Sequence, residues 1–544
     1  ILYSKEDNPL RFAPPVRAQQ FEAMKLRNDI IAIEQKLKVA NIDNTLFKYV
    51  KPENFSKLKG FNANDILNFY NLYSTLNEIE KLYFDNYSAF VAREHGLSKT
   101  GEHGINKSNG HAALWLESNE EKTDRFSLLS GLQISDNKSD QEDAYISFSR
   151  DVNAQALVNF RVGDLGVLYP MDNEGHQQIL RNQIFKCTIT ELGQDRVVIR
   201  LRSKQFNQSL FQTHQYWCIE PDSLDSSFNA MYKSLFTWAA SPIEYRELIL
   251  GLRQPLPKKD KPKHRCTDGL TDHQTEILQK MLEAQDYFLL WGPPGTGKTS
   301  VMLKNLVAHL HENTNENILL LAYTNRAVDE ICDAVMSIHE SFDNKFLRLG
   351  SRLSTDSKYL NNLLDQVVKN TKSRQEILQI LEEKRIFIST VSSILSKAEL
   401  FLLKSFDTVI IDEASQILEP MLVGLLSTFK KFILIGDHKQ LPAVVVQPAH
   451  QSQISDQKLR EIGIFDTRIS FFERLYGQLV AHGYTSSYGI LDQQGRMHSE
   501  LMKFVNEYFY ENKLHILPAN EKQIKSNFYN LVPEPFKAFD HRKI

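Results

Sequence analysis

Cysteine is scarce in this 544-residue chain: four residues, Cys187, Cys218, Cys266 and Cys332, with no CxxC pair among them. That argues against a zinc ribbon or a disulfide scaffold and fits a reducing compartment, the cytoplasm or, in a eukaryote, the nucleus. It also gives no support for an iron–sulfur site. No run reaches the roughly 18–20 apolar residues that a membrane-spanning helix needs. An excess of positive charge is missing too. Lys and Arg number 64 against 67 Asp and Glu, for a formal net charge of −3, so a nucleic-acid partner must be held by a local groove and not by an overall field. The opening residues, Ile1-Leu2-Tyr3, have neither an initiator Met nor the basic-then-apolar pattern of a signal peptide, and the chain reads as a fragment. The hydrophobic and charged fractions, 42% and 24%, are those of a globular protein with room for several domains.

Three textures follow one another. Residues 16–40 and 64–95 carry apolar positions at helical spacing, the second with Ile66, Leu67, Tyr70, Tyr73, Leu76, Ile79, Tyr83 and Tyr87 on a wide face, and predict a stalk or arm. Residues 96–111, rich in Gly, Ser and Asn, read as a loop. With His95 just ahead of it, and His103 and His111 within it, it is either a solvated segment or, less economically, a metal site without regular ligand spacing. From 143 to 219 short alternating segments broken by Gly-Asp and Asn-Glu-Gly turns predict four or five strands of a small β-barrel. Arg200, Arg202 and Lys204 share one strand face there, read as solvated, with a nucleic-acid contact as the alternative. Residues 226–250 return to helix, and 255–265 (PLPKKDKPKHR) read as a solvated basic linker. Beyond 271, continuous apolar runs at 287–291, 318–322, 386–388, 409–411 and 432–435 alternate with amphipathic segments. Runs without alternation are strands buried on both faces, hence a parallel sheet covered by helices.

The chemistry concentrates in that last region. The run 287–300, YFLLWGPPGTGKTS, follows a strand and precedes a helix, the context of a phosphate-binding loop. In the loop Gly292, Pro293, Pro294, Gly295, Thr296 and Gly297, the glycines are expected to let backbone N–H groups turn onto phosphates, aided by the helix N-terminus at Lys298, Thr299 and Ser300. Lys298 would reach the β- and γ-phosphates of ATP and Thr299 would ligate Mg²⁺. The strand 409–411 ends in Asp412-Glu413, at the edge where α/β sheets bind ligands. Asp412 would hold Mg²⁺, mainly through water, and Glu413 would orient and deprotonate the attacking water. A further strand leads into Asp437-His438-Lys439-Gln440, where Gln440 either reports the γ-phosphate or caps a turn.

Taken with LTDHQ (270–274), AYTNRAVDEI (322–331), FLRLG (346–350), ISTVSSI (388–394), IIDEASQILEP (410–420), GDHKQLPAVV (436–445), SFFERL (470–475) and QGRMH (494–498), residues 265–512 resemble the superfamily 1 helicases, in their 5′→3′ branch. DEASQ followed by ILEP looks more like the DNA-processing members than the RNA-decay members. The resemblance implies further roles. Gln274 would read adenine. Thr324, Asn325, Ser389, Thr390 and Ser392 would contact backbone phosphates of a single strand, which needs hydroxyls, amides and N–H groups but no base reading. Arg496 would meet the γ-phosphate. The family also has a small barrel on helical arms, which brings the 143–219 segment nearer to nucleic acid. Two departures stand out: Gly495 takes a position usually held by Tyr, and Ala443 that of a frequent second Pro.

The fold class expected is α/β: a RecA-like P-loop parallel sheet preceded by helical arms and a small β-barrel, with the second RecA-like domain essentially absent. The expected boundaries are a helical region and stalk (1–110), the barrel (111–225), a return helix and basic linker (226–265), the first RecA-like ATPase domain (266–485), and a linker with the start of a second (486–544). The expected activity is ATP-driven translocation on single-stranded nucleic acid, DNA favoured, with ATP and Mg²⁺; the chain alone is expected to be incomplete for turnover. DNA-processing relatives place a nuclease ahead of the arms, and Glu34-Gln35-Lys36 has its E-x-K look. Those residues fit better inside one amphipathic helix, which leaves any nuclease upstream of Ile1.

Overall fold

A computed structural model describes residues 68, 71–100, 119–141, 143–150, 158–171, 183–222, 226–258, 269–397 and 399–517. The predicted helix over 16–40, Glu34 and Lys36, His103, His111 and Cys266 lie outside these. None of the helices among the described residues is long and apolar enough to cross a membrane. The described residues fall into two compact units, one within 68–76, 85–229 and 445–452, the other within 77–84, 230–444 and 453–517.

The first unit holds a closed six-stranded antiparallel barrel: β1 (Leu129–Lys138), β2 (Tyr145–Ser149), β3 (Leu165–Met171), β4 (Phe185–Leu192), β5 (Arg196–Leu201) and β6 (Tyr216–Pro221), in the order β1-β2-β5-β4-β3-β6. Alternate residues fill it, as on β4, where Phe185, Cys187 and Ile189 point inward and Lys186 outward. One strand more is present than the alternating segments predict. β1 was hidden because LSGLQISDNK is mostly polar and its register slips between Ile134 and Asp136, which breaks the period of two. The basic strand face is matched by acids: Arg200 lies 3.7 Å from Asp143, and Arg202 and Lys186 lie 3.6 and 3.2 Å from Asp222. Cys187 and Cys218 are buried thiols, and burial pushes each up to about 12.

The arm divides differently from its sequence reading. Residues 71–75 are helical, the helix is interrupted at 76–77, and α1 (Glu78–Thr100) runs on into the segment expected to be loop. The break is a reciprocal cap: Asn77 N donates to Glu80 Oε2 (2.9 Å) and Glu80 N to Asn77 Oδ1 (3.0 Å). His95 stacks on Phe228, with ring centroids 4.6 Å apart, and no group of three or more His, Cys, Asp or Glu among the described residues is placed to hold a metal.

In the second unit, α2 (Ser226–Ala240, from Ala230 on) and α3 (Ile243–Leu250) precede α4 (Asp272–Glu283) and a seven-stranded sheet. Its strands are β7 (Tyr287–Trp291), β8 (Ile318–Ala322), β9 (Phe346–Leu349), β10 (Ile386–Thr390), β11 (Thr408–Ile411), β12 (Lys431–Gly436) and β13 (Tyr488–Ile490). They lie in the order β13-β7-β12-β11-β8-β10-β9, every pair parallel. All residues of β7 to β12 are buried, the reason their sequences run apolar without alternating. The helices α5 (Lys304–Asn313), α6 (Asn325–Met336), α7 (Glu419–Leu426) and α8 (Phe471–Ala481) belong to this unit. Two expected boundaries move. β13 pairs with β7, Gly489 opposite Leu290, so the sheet runs past residue 485; three residues are too few to show a period. The first residues of the basic linker are not free either, since Lys258 N donates to Glu283 O (2.6 Å) and Gln285 N to Leu256 O (3.0 Å). After β13, β14 (Gln493–Gln494) and β15 (His515–Ile516) form a two-stranded parallel ribbon joined through α9 (Ser499–Phe509).

Candidate nucleotide site

The site is built on the C-terminal ends of the parallel strands. β7 leads directly into the 292–300 loop, which Gly292 N ties to Gly436 O at the end of β12 (3.1 Å). Thr296 Oγ1 closes a turn on Pro293 O (2.7 Å), and Lys298 Nζ folds back to Gly292 O (2.6 Å). A Cβ on Gly292 would lie 2.2 Å from Lys298 Cγ, so glycine is what lets the lysine cross the loop. Gly297 (φ +82°) caps a π-helical turn, Lys298–Leu303, where the sequence predicts a plain helix start. Val301 N and Met302 N both converge on Gly297 O. This wider turn directly follows the glycine-rich loop, and turns of this kind are frequent at functional sites.

β11 ends two strands away. Asp412 is buried and accepts from Thr299 Oγ1 (2.5 Å) and from Glu413 N (2.9 Å). Burial raises its pKa, while these bonds and Lys298 favour the charged form. Glu413 takes a left-handed conformation (φ +54°) that a non-glycine residue adopts at a cost. Burial raises its pKa too, offset in part by Lys298, the direction that suits a general base. Thr299 and Asp412 together offer one hydroxyl and one carboxylate, which fits Mg²⁺ drawing its remaining ligands from phosphate and water.

Gln440 lies on the loop after β12, its Nε2 donating to Asp437 Oδ2 (2.9 Å). Beside it His438 packs against Trp291 (4.6 Å) and Tyr476 (5.1 Å). Burial pushes the imidazole down to about 4, so it is neutral at physiological pH. Arg496 reaches the loop from the β14–α9 connection. Gly495 N donates to Gly295 O (2.9 Å), and a Cβ on Gly295 would lie 2.5 Å from Arg496 Cβ. Gly495, the departure from the helicase pattern, is thus a backbone contact to the phosphate loop.

Other expected site residues are placed less directly. Gln274 is the third residue of α4 in a capping box: its Oε1 accepts from Thr271 N (3.1 Å) and its N donates to Thr271 Oγ1 (3.3 Å). Thr324 caps α6 by accepting from Ala327 N, with Asn325 beside it. Thr390 caps the helix Val391–Ser396 through Ser393 N. Since Thr390 lies opposite Ala322 in the sheet, both caps share the edge that carries the phosphate loop. Ser392 is exposed, but Ser389 is buried with its hydroxyl on Leu349 O (3.2 Å). The sequence reading missed Tyr510, which bonds Asp437, and the contact of Gly295 with Arg496. Neither has a local signal, since each joins segments 73 or more residues apart.

Residues 269–373 and 350–448 match the family model of an AAA domain. The chain is 31% identical over 281 residues to the human (Homo sapiens) DNA replication ATP-dependent helicase/nuclease DNA2, covering 49% of this chain and 24% of that protein. The Saccharomyces cerevisiae protein of the same name is 26% identical over 496 residues, 79% of this chain and 30% of its own length. An uncharacterized ATP-dependent helicase of Methanocaldococcus jannaschii, MJ0104, is 24% identical over 389 residues, 57% of this chain and 55% of its own. The chain thus spans less than two thirds of these relatives. The solved Pif1 helicase of Candida albicans aligns at 16% identity and a TM-score of 0.24 over 44% of each chain.

Proposed function

We propose that this chain, a homologue of ATP-dependent helicases through its AAA domain, is the ATP-hydrolysing part of a translocase on single-stranded nucleic acid, DNA favoured, travelling 5′→3′ in replication or repair. The observation that carries the reading is the hydrogen bond from Thr299 to Asp412. It joins a phosphate loop and an acidic strand end, 113 residues apart, at one sheet edge. Lys298 binds phosphate oxygens, Glu413 orients a water and takes its proton, and Gln440 and Arg496 face the terminal phosphate. Thr299 and Asp412 would hold Mg²⁺, which would supply positive charge to offset the charge of the phosphates. The exposed Thr324 cap, with Asn325 and Ser392, supplies donors to a strand backbone along the same edge, whereas Thr390 is buried with its hydroxyl donating to Ser393 Oγ (2.9 Å). Contacts of this type grip phosphate without reading bases, as a motor must.

The test is ATP turnover with and without single-stranded DNA and RNA, with Lys298→Ala as control. Stimulation by DNA that the alanine variant abolishes is the expected result. Stimulation by RNA alone would move the substrate. Nucleotide binding without strand-dependent turnover, in the full-length protein as well as in this chain, would replace the motor by an ATP switch.

A further inference from the structure

Asp437 is fully buried (0% exposed) and lies at the centre of a bond set that the reading above leaves unused. Its Oδ1 accepts from Trp291 Nε1 (2.9 Å) and Lys439 N (3.1 Å). Its Oδ2 accepts from Gln440 Nε2 (2.9 Å) and from the hydroxyl of Tyr510 (2.7 Å). Gln440 and Tyr510 therefore share one oxygen. Tyr510 caps the C-terminal end of α9, in the β14–α9–β15 segment that also carries Arg496.

We propose that Tyr510 is a positioning residue for Gln440: its hydroxyl keeps the buried Asp437 carboxylate satisfied when the Gln440 amide turns to the terminal phosphate of ATP. The proposal rests on the nucleotide-site reading above. A buried carboxylate oxygen that loses its only side-chain donor pays the full cost of desolvation, and a second donor on the same oxygen removes most of that penalty. With Tyr510 in place, the amide is free to exchange partners; without it, Asp437 holds the amide back. Burial and the neighbouring carboxylate both raise the Tyr510 pKa, so the hydroxyl remains a donor across the physiological range. The segment that bears Arg496 also supplies Tyr510, so the Asp437 carboxylate ties that segment to Gln440.

The experiment compares the whole chain with Tyr510→Phe, Gln440→Ala and the double variant. It measures the affinities of fluorescent ATP and ADP analogues and kcat and KM for ATP. Tyr510→Phe keeps the ring and so leaves no cavity. It should leave ADP affinity unchanged while lowering ATP-over-ADP preference and kcat by about tenfold, the scale of one hydrogen bond to a charged group. Added to Gln440→Ala it should cause no further loss. An unchanged preference, an equal loss of ADP affinity, or losses that multiply in the double variant would each overturn the proposal. Absence of turnover in every version, as expected if the chain alone is incomplete for turnover, leaves the preference for ATP over ADP to decide the role of Tyr510. Absence of nucleotide binding would sink both that role and the nucleotide-site reading.

Discussion

Gly295 shows how tightly the phosphate loop is fitted. It has φ +77°, and a Cβ there would meet Arg496 Cβ at 2.5 Å. Gly295→Ala thus combines a left-handed backbone that costs an L-residue about 1–2 kcal/mol with displacement of Arg496. We expect ATP turnover to fall by about tenfold or more, with nucleotide affinity affected less, and steady-state kinetics beside a nucleotide titration check it. That Lys298, Thr299, Asp412 and Glu413 lie at the ends of apolar strands was legible in the sequence, because each directly follows an apolar run or the loop that such a run leads into. Gly295 was legible only as part of a pattern. That it makes room for Arg496, 201 positions later, is a fact of packing.

Among the elements, α7 makes a close joint with backbone. Gly424 N donates to Ser234 Oγ on α2 (2.9 Å), and a Cβ on Gly424 would lie 2.0 Å from the Ser234 carbonyl oxygen. Backbone cannot yield as a flexible side chain does, so Gly424→Ala should destabilise the chain by about 1–3 kcal/mol, read from a denaturant midpoint. The same helix begins at Glu419, buried against Arg474 of α8 (2.6 Å) and accepting from Tyr83 OH (2.7 Å). Arg474 also donates to Ile249 O (2.8 Å) at the end of α3. Two residues of the helicase-like motifs 410–420 and 470–475 are thus joints for the arm helices. Arg474→Met should cost about 3–5 kcal/mol, because it leaves a buried carboxylate without its cation, and Glu419→Gln in the same chain should recover part of that loss. Element type was legible for β7, β8, β10, β11 and β12 and for the helix after the 292–300 loop, but not for β9, where the buried Arg348 interrupts the apolar run. It failed for β1, where a bulge breaks the alternation, and for β13, which is too short.

For the chain as a whole, stability should depend on pH through Lys431. Its ammonium is buried at the start of β12, donating to Met281 O (2.7 Å) at the end of α4. Burial lowers its pKa from 10.5 to about 7. The sign follows from proton counts. Between these two values the unfolded chain binds the proton and the folded chain does not, so stability rises with pH through the window, by up to about 1.4 kcal/mol per pH unit from this group. Denaturation midpoints at pH 7, 8 and 9 should climb, and Lys431→Met should flatten the climb at the cost of the bond to Met281 O.

The sequence by itself determined the parallel α/β sheet, the barrel ahead of it in the chain, and the glycine-rich loop and acidic strand end at that sheet's edge, because burial on both faces and turn chemistry each impose a local pattern. Only the tertiary structure decided that Asp437 gathers Trp291, Gln440 and Tyr510, that Gly495 and Arg496 close on Gly295, and that Ser389 is buried with its hydroxyl on a backbone carbonyl. The physical reason is the same in each case. These contacts join strand ends and loops distant in sequence, and their geometry is set by strand order and helix packing, which no local spacing records.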